Sequence, residues 1–322
     1  MAEKILAVCG PTASGKTALA IRLAQRLGGE IVSMDSMQIY RSMRIGTAAP
    51  TPEEMQGIPH HLIGIVGPEE PFSCADYTVR AEACIREIAA RGKVPILCGG
   101  TGLYLDSLLR VSAFSEAEGS ETVRASLHAF AEEQGIQALH DRLSAVDPEA
   151  AAAIHPNNLR RVVRALEIYE TTGVPKTEWD RRSLSMEPKY DARILVLDFH
   201  NRDRLYDRID RRIDIMMQDG LEAEVRALWK AGLLDARYIA AQAIGYKEFL
   251  PYLTGQGTLS DVTAQISLST RHYAKRQLTW FRRYRDALWL YPDTAEDSGA
   301  PLKTADTLAA EAEERLRADG FL

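Results

Sequence analysis

The residues best suited to chemistry stand near the start of the chain. GPTASGKT, residues 10–17, sets glycine, lysine and threonine at the spacing GxxxxGK[ST]. Glycines let backbone N–H groups converge on phosphate oxygens, Lys16 reaches the terminal phosphates as a point charge, and the Thr17 hydroxyl can ligate Mg²⁺. A helix starting here points its positive end at the anion. Gly10, Pro11, Thr12, Ala13, Ser14, Gly15, Lys16 and Thr17 are therefore read as a diphosphate- or nucleotide-binding loop, with ATP among the candidate ligands. Such a loop does not choose the reaction. Nucleotide hydrolysis also needs an acid at the end of an apolar strand. Asp35, after EIVSM, and Asp198, ending ILVLD, both qualify. Asp198 reads as a structural cap. Asp35 differs because its strand follows the helix of the phosphate loop, which would bring it to one crevice with Lys16.

A second chemistry lies near the other end. YAKRQLTWFRRYR (273–285), with nearby Arg271, interleaves Lys275, Arg276, Arg282, Arg283 and Arg285 with Tyr273, Trp280, Phe281 and Tyr284. Cations neutralise nucleic-acid phosphates and aromatics stack on unpaired bases. Tyr273 and Trp280, seven apart, also fit an apolar helix stripe. Two further arginine groups have a plain alternative. Arg160 and Arg164 share a helical face, with Arg161 about 100° away, as on any solvated helix. Arg208 and Arg212 are i, i+4, and Asp207, Asp210 and Asp214 offer them surface ion pairs.

The elements that must position these groups follow from periodicity. KILAVC (4–9), EIVSM (30–34) and KVPILC (93–98) read as buried strands. TALAIRLAQRL, residues 75–91 and LYLDSLL read as helices, with GGTG turning the chain after the third strand. That alternation predicts a parallel α/β sheet. VSAFSEAEGS (111–120) reads as a polar connection, and 120–183 as helix broken at Gly135, Pro148, Pro156 and Gly173. ARILVLDF (192–199) returns to strand, and 286–322 reads as solvent-facing helix without a site. The fold expected is a P-loop NTPase-like parallel core, residues 1–112 and 190–322, interrupted by a helical insertion at 113–189.

Composition bounds the partners. A net charge of −6 argues against indiscriminate coating of nucleic acid, though a local basic groove remains compatible with it. Cys9, Cys74, Cys84 and Cys98 match no zinc or CxxC spacing, and free cysteines suit a reducing cytoplasm. The start MAEKILAVCGP lacks the apolar run of a signal peptide, and no segment reaches the roughly 20 apolar residues of a membrane span. The histidines form no cluster, and His60–His61 reads as a structural pair in a loop.

Taken together, GPTASGKT (10–17), DSMQIYRSMRIGTAAP (35–50), GGTGLYLDSLL (99–109), HPNNLRRVVRALEIYETTG (155–173), AIGYKE (243–248) and TRHYAKRQLTWFRR (270–283) resemble the tRNA dimethylallyltransferase family, in the family's order. The resemblance implies transfer of a dimethylallyl group from dimethylallyl diphosphate to N6 of adenosine 37, beside the anticodon. It implies Mg²⁺ as cofactor and the anticodon stem-loop of tRNA as partner; a monomer without membrane attachment is expected. Lys16 and Thr17 would stabilise the departing diphosphate, and by resemblance Asp35 would act as base toward the adenine amine. A carboxylate suffices because that amine acidifies as the N–C bond forms. By the same analogy Arg208 or Arg212 would help bind diphosphate. Family analogy also places Asp35, Ser36, Met37, Gln38 and Thr101 on the tRNA, and Arg160, Arg161 and Arg164 on the anticodon loop. Gly245, Tyr246 and Lys247 would approach the RNA, as would Lys275, Arg276, Gln277, Thr279, Trp280 and Arg282. Adenosine 37 must leave its stack to reach Asp35. Two rivals stand beside this reading: a small-molecule kinase or NTPase, and a noncatalytic RNA-binding P-loop protein.

Overall fold

Five of the six strands follow one pattern: a short apolar run ended by a glycine or polar turn. In the computed structural model, which describes residues 2–109, 120–185, 188–295 and 299–322, they form one all-parallel sheet in the order β3-β2-β4-β1-β5-β6. By contact the chain divides into two units, Met1–Asp106 with Tyr190–Leu322, and Ser107–Lys189. The first division falls before the expected residue 112, inside helix Gly102–Leu109. The expected polar connection at 111–120 lies outside the described residues except for Ser120.

In the first unit β1 (Glu3–Cys9) leads through residues 10–15 into α1 (Lys16–Leu27), which Gly28 ends in a left-handed turn at φ 65°. β2 (Gly29–Ser33) and the short α2 (Pro52–Met55) precede β3 (His60–His61). His60–His61, expected in a loop, is therefore the edge strand: His60 pairs in register with Ile31 and His61 with Val32. α3 (Cys74–Ala90) starts at a capping box in which Ser73 and Asp76 satisfy each other's backbone N–H. β4 (Val94–Gly99) and α4 (Gly102–Leu109) follow. β1 and β4 lie side by side at the centre, Cys9 opposite Gly99, and both are buried on two faces, as covered parallel strands must be.

The second unit contains α5 (Glu121–Gln134), α6 (Ile136–Val146), α7 (Pro148–Ala153), α8 (Leu159–Thr172) and α9 (Lys176–Ser185). Gly135 and Gly173 cap helices and Pro148 opens one, so three of the four expected breaks are helix ends and Pro156 lies in a turn. Its core joins Leu127, Leu139, Leu143, Val162 and Leu166.

The first unit resumes with β5 (Tyr190–Leu197), α10 (Arg202–Gln218) and α11 (Leu221–Lys230). Two 3₁₀ turns, Ala240–Gln242 and Lys247–Phe249, lead to α12 (Leu250–Leu253), α13 (Leu259–Phe281), β6 (Leu288–Leu290) and α14 (Ala305–Ala318). Here the expectation for 286–322 fails. Residues 288–290 pair with β5, and α14 buries Leu308, Ala309, Ala312 and Leu316 in the cluster formed by α1 and the sheet. Its apolar residues recur at i, i+1, i+4 and i+8, a stripe that its charged neighbours mask in the sequence.

Candidate active site

The strand order reverses direction between β1 and β4, and ligands of open parallel sheets bind at the carboxyl ends beside such a switch point. The loop after β1, the turn after β4 and Asp35 after β2 all lie there. A cavity of about 270 Å³ opens between them.

The phosphate loop bends because Ala13 and Gly15 take left-handed backbone, φ 62° and 97°, which turns successive N–H groups inward. Lys16 begins α1 and reaches back to the Pro11 carbonyl, 3.2 Å away. Arg208 Nε donates to the Ala13 carbonyl at 2.7 Å, and Arg212 Nη1 lies 3.5 Å from Thr12 Oγ1. Both arginines therefore belong to the loop, and the surface ion pairs with Asp207, Asp210 and Asp214 do not form: Asp210 is taken by Arg271 and Ser267 instead. None of Lys16, Arg208 and Arg212 has a carboxylate partner among the described residues. Burial pushes the Lys16 ammonium below its ordinary pKa; Cys98 opposes the shift and Arg212 adds to it. Burial likewise lowers Arg212, with Arg208 reinforcing it. Three cations held together at such cost form a receptacle for a polyanion. Thr17 lines the cavity and shares a hydrogen bond with the Cys98 thiol, whose pKa burial raises to about 11 against the pull of Lys16 and Thr17.

Asp35 faces the same cavity. Its Oδ1 accepts from Met37 N at 2.9 Å and Gln38 N at 3.4 Å, while Oδ2 has no hydrogen bond among the described residues. Thr101 holds this loop by accepting from Ser36 N at 3.1 Å. Asp198 is 5% exposed and caps its own turn through Phe199 N, with Arg202 at 3.2 Å, as a structural carboxylate would.

Several residues expected on RNA also carry contacts that hold the fold, Gln38 and Gln277 while lining the cavity. The Gln38 amide is consumed by Ser33, Thr47 and Ala48. Tyr246 has no exposed surface and donates its hydroxyl to Glu224 at 2.6 Å. Gln277 is 4% exposed; its Oε1 accepts from Thr12 N at 2.9 Å and its Nε2 donates to Gly100 O at 3.0 Å. Trp280 packs on Gly102 beneath the Arg283 guanidinium. In the helical unit Arg164 is committed to the fully buried Glu167, Nη1 to Oε2 at 2.8 Å, beside Arg124. Tyr246, Gln277 and Trp280 are captured by groups distant in sequence, which local pattern cannot foresee, whereas Arg164 and Glu167 are an i, i+3 pair on one helix.

Others remain available. Gly245, Lys247 and Arg276 line the cavity with Ser36 and Met37, and Lys275, Thr279 and Arg282 are exposed on or just beyond α13, Arg282 lying 3.9 Å from Asp198. Arg160 and Arg161 are exposed on the first turn of α8 and carry no ion pair among the described residues. Two contributors escaped sequence reasoning: Cys98 on the cavity floor, and Glu224, which binds the backbone N–H groups of Arg44, Ile45 and Gly46. One of two acids in the first turn of an amphipathic helix such as α11 carries no local signal of that role.

Comparison with known proteins agrees with this geometry. A family model described as IPP transferase matches residues 38–284, and one described as isopentenyl transferase matches residues 3–64. The chain is 48% identical over 294 residues to a tRNA dimethylallyltransferase of Caldanaerobacter subterraneus, covering 91% of this chain and 93% of the relative. It is 50% identical over 289 residues to that of Geobacillus thermodenitrificans, covering 90% of each. Among solved structures it resembles a full-length tRNA isopentenylpyrophosphate transferase from Bacillus halodurans (TM-score 0.70, 44% identity, 98% and 96% coverage). It also resembles a eukaryotic dimethylallyltransferase acting on tRNA (TM-score 0.84, 31% identity, 99% of this chain and 79% of that one). A chain with this loop, this cation cluster and this likeness over nine-tenths of its length belongs to the tRNA dimethylallyltransferase family.

Proposed function

We propose that this protein transfers the dimethylallyl group from dimethylallyl diphosphate to N6 of adenosine 37 in tRNA, releasing diphosphate. The observation that carries the reading is Lys16 and Arg212, cations without a carboxylate partner among the described residues, in one cavity with Asp35, with Arg208 bonded to the same phosphate loop. The adenine amine is a poor nucleophile, so the barrier falls through stabilising the leaving group and removing the amine proton. As the N6–carbon bond forms, the carbon–oxygen bond to diphosphate breaks and its electron pair leaves with the diphosphate. The phosphate-loop N–H groups and the three cations hold that charge. The N6 proton passes to Asp35, whose Oδ1 is already fixed by Met37 and Gln38, so Oδ2 is the oxygen left to receive it. No phosphorus is attacked.

Among the described residues no group of three His, Cys, Asp or Glu could hold a metal alone. Thr17 on the cavity wall fits Mg²⁺ held mainly by the diphosphate, as this ion prefers. When bound, it would neutralise diphosphate charge. Arg160 and Arg161 would grip the anticodon arm from the helical insertion, with Arg276 and Lys275 on α13 and Arg282 just beyond it. We place the enzyme in the cytoplasm as a monomer; no helix among the described residues is long and apolar enough to cross a membrane.

The test mixes protein, Mg²⁺ and unmodified tRNA with labelled dimethylallyl diphosphate or labelled ATP. Label should enter tRNA from the first alone; phosphate transfer from ATP would replace this reading with a kinase. Asp35→Ala should lower transfer by about 10³-fold or more while the protein still folds cooperatively. Near-normal transfer by that variant would remove Asp35 from the mechanism.

A further inference from the structure

The cavity wall formed by α10 changes character along its length. Arg208 and Arg212 meet the phosphate loop, at Ala13 and Thr12 respectively. Ile209, Ile213 and Met216 line the cavity from the adjoining ridge of the same helix, and Ile266 of α13 joins them. Ile209, Ile213 and Ile266 are almost wholly buried and so fixed in place, whereas Met216 keeps partial exposure. With a rise of about 1.5 Å per residue, Met216 lies roughly 6 Å beyond Arg212 along the axis. A diphosphate seated on the phosphate loop and Arg212 whose apolar chain follows this wall thus meets Met216 after about the reach of one isoprene unit. Methionine suits a closing position: it is long, unbranched and apolar, and it fills the space a branched residue would leave.

Resting on the function proposed above, we propose that Met216 sets the length of the allylic diphosphate this enzyme accepts, closing the cavity beyond the fifth carbon. Trimming it should admit the next isoprene unit, and enlarging it should crowd the natural one. Met217 is the control: it neighbours Met216 on the helix, turned about 100° away, and does not line the cavity.

The experiment compares wild type, Met216→Ala, Met216→Phe and Met217→Ala with dimethylallyl and geranyl diphosphate, tRNA held constant. Met216→Ala should shift the ratio of kcat/KM toward geranyl diphosphate by about tenfold or more, the scale of apolar-pocket discrimination. Met216→Phe should raise KM for dimethylallyl diphosphate, and Met217→Ala should change neither. Thermal midpoints confirm that each variant folds. Calorimetric titration with each diphosphate, without tRNA, reads the same preference independently of turnover. An unchanged preference in Met216→Ala by both measurements would overturn the inference, as would an equal shift in Met217→Ala or a wild type that already takes both chains alike. Failure of wild type to transfer either chain would sink the proposed function instead, while the titration would still decide the role of Met216.

Discussion

Two groups of three basic side chains occupy opposite ends of the same sheet, and they have opposite fates. Near the start of β2, His61, Arg91 and Lys93 converge on Glu30, which is 4% exposed at its side chain and accepts from them at 2.8, 2.7 and 2.9 Å. At the carboxyl ends, Lys16, Arg208 and Arg212 converge on no carboxylate among the described residues. Burial pushes the Glu30 carboxyl up, yet hydrogen bonds from Lys93, His61 and Arg91 outweigh it and hold its pKa at about 2. The same burial leaves Lys16 and Arg212 below their ordinary values. A basic cluster that brings its own anion is architecture; one that lacks it awaits a ligand.

The sharpest way to break this contrast is Arg212→Ala. It should lower kcat by about 10²–10³-fold, as loss of one charge-stabilising donor does, with the thermal midpoint unchanged or raised because a like charge has gone. A large loss of stability would mean the cluster is structural after all. Glu30→Gln should do the reverse. It should cost about 1–2 kcal/mol of stability, measured by denaturant unfolding, because three partly exposed donors lose the charge on their buried acceptor, with kcat of the folded fraction little changed. Since the folded pKa of Glu30 lies below its ordinary 4.5, its stabilisation is full above that value and is lost as pH falls from about 4.5 toward about 2. Wild type should show that acid loss and Glu30→Gln should lack it.

Lys16 runs the opposite way. An anion favours its charged form, so diphosphate affinity should be highest where Lys16 is protonated and should decline as pH rises through its depressed pKa, a trend calorimetry across alkaline pH would read. The smallest effect separates arginines one turn apart. Arg160→Ala or Arg161→Ala should weaken tRNA binding and lower the slope of log affinity against log salt by about 1. Arg164→Ala should leave that slope alone and lower the thermal midpoint, because Glu167 would lose a partner in a fully buried position.

What could be read in advance divides along the same line. Lys16, Thr17 and Asp35 were legible because strand, loop and helix follow one another within a few dozen residues, and parallel neighbours align their ends. Arg208 and Arg212 were visible as an i, i+4 pair, but nothing local chose between the phosphate loop and the adjacent aspartates. The resemblance places Arg164 and Gln277 on RNA; the Arg164–Glu167 pair is i, i+3 and open to sequence reading, but nothing local shows that the Thr12 N–H and the Gly100 carbonyl also bond Gln277. β6 is three residues long and β3 two, shorter than any alternation can reveal.

The turn after β4 carries a consequence for how this enzyme can change over generations. A methyl group on Gly99 would sit 2.0 Å from the Met34 carbonyl oxygen, on Gly100 1.9 Å from Gln277 Nε2, and on Gly102 2.1 Å from the Trp280 ring. Gln277 cannot step aside, since both ends of its amide are bonded. Three of the four residues 99–102 are thus closed to substitution, and any retuning of the reaction by selection must come from walls that can yield, such as the outer turns of α10.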